Sequence, residues 1–139
     1  MIRYLLDTNI VSEPTRQRPA PQVQARVEAH AQEAAVASAV WHELLHGLER
    51  MPTGRKREFL ARYLFSVVRP AMPILSFDAD AAEWLARERA RLEALGKPRP
   101  ALGGIVAAIA ATRGLILVTR NTGDFEGYQG LHVENWFAS

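Results

Sequence analysis

Apolar residues in this chain fall into two patterns, short runs and stripes of helical period. Short apolar runs at residues 2–6, interrupted by Arg3, and at 34–37 predict buried strands; residues 74–75 predict a brief strand, 115–118 the clearest one, and Leu131-His132-Val133 a weak final one. Residues 21–32 predict a weakly apolar helix carried by Val23, Val27 and Ala31. Ser38 is placed to cap a helix running to about residue 50, in which Trp41, Leu44, Leu45 and Leu48 form an i, i+3, i+4, i+7 core stripe. Residues 55–68 predict a basic helix with Phe59, Leu60, Tyr63 and Leu64 turned inward. Asp78 opens a helix to residue 95, with Ala81, Leu85 and Leu92 on one stripe and Gly96 at its end. Residues 101–112 are nearly all apolar and predict a helix buried on most sides, stopped by Gly114. Proline and glycine punctuate the links: Pro14, Pro19 and Pro21 in one loop, then residues 52–54, 70–73 and 97–100. Continuous apolar strands alternating with helices predict an α/β fold whose parallel sheet is covered on both faces.

Composition narrows the class. The chain has 139 residues, 48% hydrophobic and 23% charged, which predicts one ordinary domain and excludes a disordered chain. The absence of cysteine excludes a disulfide scaffold, a thiol nucleophile and cysteine-ligated zinc, and agrees with a reducing compartment. No run approaches the roughly 18 apolar residues of a membrane span, and the N-terminal run meets Asp7 too early for a signal peptide. The expectation is a cytoplasmic protein with no membrane association. The pI is about 9.4, yet the net charge is only +2. Fifteen arginines against two lysines account for the pI, which permits an RNA partner without requiring one.

In a parallel sheet the ligand site lies beyond the carboxyl ends of the strands. Asp7 follows the first strand, Glu43 lies on the helix fed by the second, and Thr119, Asn121 and Asp124 follow the fourth. Carboxylates brought to one rim repel, so a proton, an arginine or a cation must offset them. Carboxylate, amide and hydroxyl oxygens without thiols favour Mg2+ or Mn2+, ions that clamp phosphate esters and activate water. The constellation therefore points to metal-assisted phosphodiester hydrolysis. Structural roles stay open for each residue alone. Asp7 could cap the turn it precedes. Glu43, roughly opposite the Trp41–Leu44–Leu48 stripe, could be solvated, although Ala39 and Gly47 give it small neighbours suited to a crowded cleft. Asp124 could start a short helix. His42 and His46 stand at i, i+4, but without a third histidine beside them in the sequence, or any cysteine, they do not make a four-ligand structural zinc site. Arg55, Lys56 and Arg57 read as a solvated helix face. Asn9, two residues after Asp7, excludes an aspartyl phosphatase motif, and no glycine-rich phosphate loop is present.

Leu6-Asp7-Thr8-Asn9 resembles the opening motif of the PIN-domain ribonucleases, specifically the VapC-type toxins of bacterial toxin–antitoxin pairs. Residues 41–47, Trp-His-Glu-Leu-Leu-His-Gly, resemble the second motif, residues 100–108 the third, and residues 117–121 with Asp124-Phe125 the fourth. The resemblance spans the whole chain. It implies a single PIN domain over residues 1–139, a three-layer sandwich with a central parallel sheet flanked by helices, and a homodimer. It also implies Mg2+- or Mn2+-dependent endoribonuclease activity on RNA. The implied partner is an antitoxin lying across the Asp7–Glu43 cleft, with residues 21–32 and 55–68 as exposed docking candidates. Carried over, Asp7 is a metal ligand, Glu43 a metal or water ligand, and Asn121 with Asp124 the fourth position, Asp124 also facing the metal.

The third motif departs from the family pattern. The pattern carries a metal-binding aspartate after Pro-x-Leu, and here that position is Gly103, followed by Gly104. One carboxylate fewer lowers both mutual repulsion and dication affinity, with an expected rate loss of orders of magnitude. Two explanations follow. Gly103 marks either a catalytically inactive binding module acting through antitoxin or dimer contacts, or a single inactivating change in an otherwise complete nuclease. The presence of Asp7, Glu43, Asn121 and Asp124 favours the second.

Overall fold

A computed structural model describes residues 1–138. Five strands, β1 (Tyr4–Leu6), β2 (Ala34–Ala37), β3 (Ile74–Leu75), β4 (Ile116–Val118) and β5 (His132–Glu134), form one parallel sheet in the order β3-β2-β1-β4-β5. The chain winds outward from β1 through β2 to β3, then crosses back to β4 and β5. The order therefore reverses between β1 and β4, the topological switch point where such sheets open a crevice. Register fixes what meets there: Leu6 pairs with Val118, so Asp7 and Thr119 leave the sheet side by side.

Among the described residues seven helices flank the sheet: α1 (Thr8–Val11), α2 (Pro21–His30), α3 (Ser38–Glu49), α4 (Arg55–Tyr63), the single turn α5 (Arg69–Ala71), α6 (Ala79–Ala94) and α7 (Ala101–Thr112). Leu5, Leu6, Val36, Ile109 and Leu117 are completely buried. Each such side chain stabilises the fold by about 1.5–3 kcal/mol. Small residues set the layer spacing on α7, where Ala107, Ala108 and Ala110 are also fully buried. Gly104 lets α7 lie close to its neighbours. A Cβ there would stand 2.9 Å from Leu85 Cδ1 on α6 and 3.1 Å from the Tyr128 hydroxyl.

The expected elements are present, with differences that bear on the site. β2 passes into α3 without a turn, so the cap position is Ala37 and Ser38 is the first helical residue, with no side-chain cap. The buried face of α3 is Val40, Leu44 and Leu48, while Trp41 and Leu45 are only partly covered. That rotates the buried face by roughly 50° from the expected stripe, half of one residue's step in a 3.6-residue turn. Glu43 moves from the far side of the helix to its flank, within reach of the β1 terminus. The helix after Gly54 is regular only to Tyr63 and then widens into a π turn, Leu64–Val68. Leu60, Tyr63, Leu64 and Val68 face inward, but Phe59 is 53% exposed, and Phe65 and Val67 project at 53% and 55%. The turn after β1 is the short helix α1, which begins on Asp7 as its cap, the structural role left open for that residue. Two further residues had no signal in the apolar pattern. Trp136 is fully buried, and Glu13, 2% exposed, accepts the Ala20 amide at 2.7 Å to close the loop before α2.

Candidate functional site

The crevice at the switch point is built from the two loops that leave β1 and β4. The Asp7 amide donates to Val118 O at 2.9 Å, extending the β1–β4 ladder by one bond. The Asp7 carboxylate then turns across the gap. Its Oδ1 accepts the Thr8 amide at 2.9 Å, and its Oδ2 accepts the hydroxyl of Thr119 at 2.8 Å. Thr119 is completely buried, and its Oγ1 also accepts the Asn121 amide at 3.1 Å and Asn9 Nδ2 at 3.4 Å. Asn9 Oδ1 in turn accepts the Arg120 amide at 3.0 Å. The Asp7-Thr8-Asn9 and Thr119-Arg120-Asn121 segments are thus laced together by side chains. The Thr8 hydroxyl donates to Glu43 Oε2 at 2.7 Å and ties α3 to the same knot.

A cavity of about 260 Å3 opens over this knot. Asp7, Thr8, Asn9, Glu43, Asn121 and Asp124 line its polar side, and Pro100, Leu102, Val106 and Phe125 its apolar side, with Gly103 between. All four sequence-derived site residues and the position of the missing aspartate therefore share one cleft. Asp124 sits exposed at the rim, in a single 3-10 turn, Thr122–Phe125. Arg99 Nη1 steadies that turn by donating to Gly123 O at 3.1 Å. Thr8 and Asn9 organise the cleft but were not singled out as site residues by sequence, and Thr119, noted there only for its place after β4, is the buried hub of the knot. Their signal was position alone, beside Asp7 and at the end of β4.

Asp7 is held in tension. Burial pushes its carboxyl above the ordinary aspartate value, and the carboxylates of Glu43 and Asp124 push the same way. The hydrogen bonds from Thr119 and Thr8 oppose them without restoring the ordinary value. A cation in the cleft would relieve all three raising influences. The donors are hard oxygens, suited to Mg2+ or Mn2+. Among the described residues, however, no group of three or more His, Asp or Glu side chains is gathered closely enough to hold a metal ion. Each Asp7 oxygen already accepts one protein hydrogen bond and keeps capacity for more. The arrangement fits a largely hydrated dication held by one or two carboxylates, as Mg2+ commonly is, and does not fit an all-protein cage.

The PIN domain family matches residues 4–130. The chain is 31% identical over 136 residues to the tRNA(fMet)-specific endonuclease VapC of Shigella flexneri, covering 98% of this chain and 99% of the relative. It is 36% identical over 124 residues to toxin FitB of Neisseria gonorrhoeae, covering 87% and 89%. The crystal structure of FitAcB from Neisseria gonorrhoeae superposes with a TM-score of 0.90 at 30% identity, covering 98% of this chain and 99% of that one.

Proposed function

Because the chain belongs to the PIN-domain family, we propose that it is an endoribonuclease toxin of a toxin–antitoxin pair, dependent on Mg2+ or Mn2+ and impaired by Gly103. The observation that carries this reading is the convergence of Asp7, Glu43, Asn121 and Asp124, far apart in sequence, on one cleft at the sheet's switch point. The relatives named above support RNA as the substrate class and a toxin's role. One domain over residues 1–139 carries the activity.

Asp7 and Glu43 would hold the ion, with Asp124 at the rim as the third carboxylate. When bound, the ion supplies charge neutralisation at the scissile phosphate and lowers the pKa of an attacking water. The chain's own residues supply order. Thr8 and Thr119 fix both oxygens of Asp7, so the carboxylate needs no reorganisation before it acts. Thr8 fixes Glu43 through Oε2 and leaves Oε1 to orient water. Asn121 offers a neutral amide to the phosphate beside the acids. Purified chain with excess Mn2+ is expected to cut total RNA slowly, and chelation is expected to stop it. No cleavage at any Mn2+ concentration would overturn the activity of this chain.

A second reading, a binding module without catalysis, draws on two observations: Gly103 on the cleft wall and the lack of a three-residue ligand group among the described residues. Metal-dependent cleavage decides between the two.

For partners, an antitoxin peptide would cross the Asp7–Glu43 cleft. An apolar groove of about 270 Å3 runs between α2 and the π turn, walled by Val27, Tyr63, Val67 and Met72. It supports α2 and the α4 region as the docking face. No helix among the described residues is long and apolar enough to cross a membrane, in keeping with a cytoplasmic site of action. The chain is expected to be a homodimer, and light scattering that gave a monomer at micromolar concentration would remove that expectation.

A further inference from the structure

Beside the cleft but not part of its wall, the exposed side of α3 carries His42 and His46 one turn apart. Their rings lie nearly parallel, 11° between planes and 6.0 Å between centroids. The contrast with the other histidines is clear. His30 is bound to Glu33 at 2.9 Å and packed against Tyr4 and Trp136, and His132 lies on the edge strand β5. We propose that His42 and His46 form a two-imidazole site for a borderline transition-metal dication of the Zn2+, Ni2+ or Cu2+ class, separate from the acidic cleft.

Three features carry the assignment. Side chains at i and i+4 share one face of a helix, the spacing at which two histidines bind zinc. Two imidazole nitrogens on one tetrahedral ion, each at 2.0–2.1 Å, stand about 3.3 Å apart, which exposed rings reach by turning about their side-chain bonds. Imidazole selects zinc, nickel or copper, whereas the oxygens of the cleft select magnesium or manganese. The two sites thus differ in ligand chemistry as well as in place. Glu43, between the histidines in sequence, is not a third ligand, because it lines the cleft and its Oε2 is engaged by Thr8. The remaining positions on the ion are filled by water, so the site binds without hydrolytic machinery of its own.

Zn2+ alone, titrated calorimetrically, tests this in four proteins: the parent, His46→Gln, the double variant His42→Ala/His46→Ala, and Asp7→Asn. The parent is expected to bind one ion per chain in the micromolar range. That affinity should be unchanged by Asp7→Asn or by excess Mg2+, about tenfold or more weaker in His46→Gln, and absent from the double variant. Both histidines are exposed, so the variants should melt with the parent when metal-free. No Zn2+ binding by the parent, binding that survives in the double variant, or binding lost with Asp7→Asn would each overturn the site. The proposal stands apart from the nuclease reading, since Mn2+-dependent cleavage is read through Asp7 and not through these histidines.

Discussion

Gly103→Asp is expected to raise Mn2+ affinity and RNA cleavage together, the rate by about 100-fold or more. The position lines the cleft with Asp7, Glu43 and Asp124, so a carboxylate there completes a third ligand around one ion. The fold accepts it. A Cβ at Gly103 meets only the Phe125 ring, at 3.5 and 3.8 Å, which is ordinary contact. The backbone there does not have positive φ. Residue 103 lies in the first turn of α7, where a negative side chain is favoured by the helix dipole, by about 0.3–1 kcal/mol. Gly104 is the control. A methyl there would press on Leu85 Cδ1 and the Tyr128 hydroxyl, both side-chain ends, so the strain of shifting them is set against about 1 kcal/mol of helix propensity gained, and Gly104→Ala should change stability little and add nothing to activity. The two adjacent glycines thus have different surroundings: side chains of other segments close on Gly104, whereas Gly103 has room for a carboxylate. Calorimetry with Mn2+ and cleavage of total RNA, run on parent and Gly103→Asp side by side, decide the matter. If the aspartate restores both, the scaffold is a nuclease lacking one ligand. If the variant neither binds Mn2+ nor cuts RNA, the nuclease reading falls and the binding module takes its place.

The sheet was legible because parallel strands are buried on both faces and so appear as unbroken apolar runs, as residues 115–118 do around Leu117. Strand order was not predicted, since the reversal between β1 and β4 is set by long-range pairing that no local pattern encodes. The acids were legible from their place after strands, yet their coupling was not. Threonine carries no distinctive signal, and Thr8 and Thr119 act through hydroxyls whose partners lie 35 and 112 residues away. Helix α3 shows where periodicity misleads. Trp41 is large and apolar, so it pulls the expected stripe toward itself, whereas the packed face centres on Val40, Leu44 and Leu48. The same error set Glu43 roughly opposite the packed face, which kept a solvated role open beside its candidacy for the site. Phe59 was misjudged for a related reason: hydrophobicity marks it as core, but the π turn after Tyr63 and the inward set from Leu60 to Val68 leave it outside. Gly104 could not be distinguished from Gly103 by sequence, because the difference is the position of Leu85 and Tyr128 on other segments.

Asp7→Asn is expected to move activity and stability in opposite directions. Cleavage should fall by about three orders of magnitude or more, in the parent and in Gly103→Asp alike, because the anchoring carboxylate is gone. Stability of the metal-free chain at neutral pH should rise. Asparagine keeps the shape: Oδ1 still accepts the Thr8 amide, and Nδ2 can donate to the Thr119 hydroxyl by displacing the long 3.4 Å bond from Asn9 Nδ2, since that oxygen also accepts the Asn121 amide. It removes a charge that burial, Glu43 and Asp124 all disfavour. The pH dependence follows from the direction of that shift. The Asp7 carboxyl titrates higher in the folded chain than the unfolded value of about 3.9. Its contribution is therefore fully present below that unfolded value and is lost as pH rises through the folded one. Asparagine does not titrate, so the melting-temperature gap in favour of the variant should be small near pH 4 and widen as pH rises, levelling above the folded value. Melts in chelator at several pH values read this directly, and added Mn2+ should narrow the gap by stabilising only the parent. A gap that stays flat with pH, or a variant less stable at neutral pH, would show that Thr8 and Thr119 compensate the buried charge in full. The cleft would then lack the electrostatic tension that invites a cation.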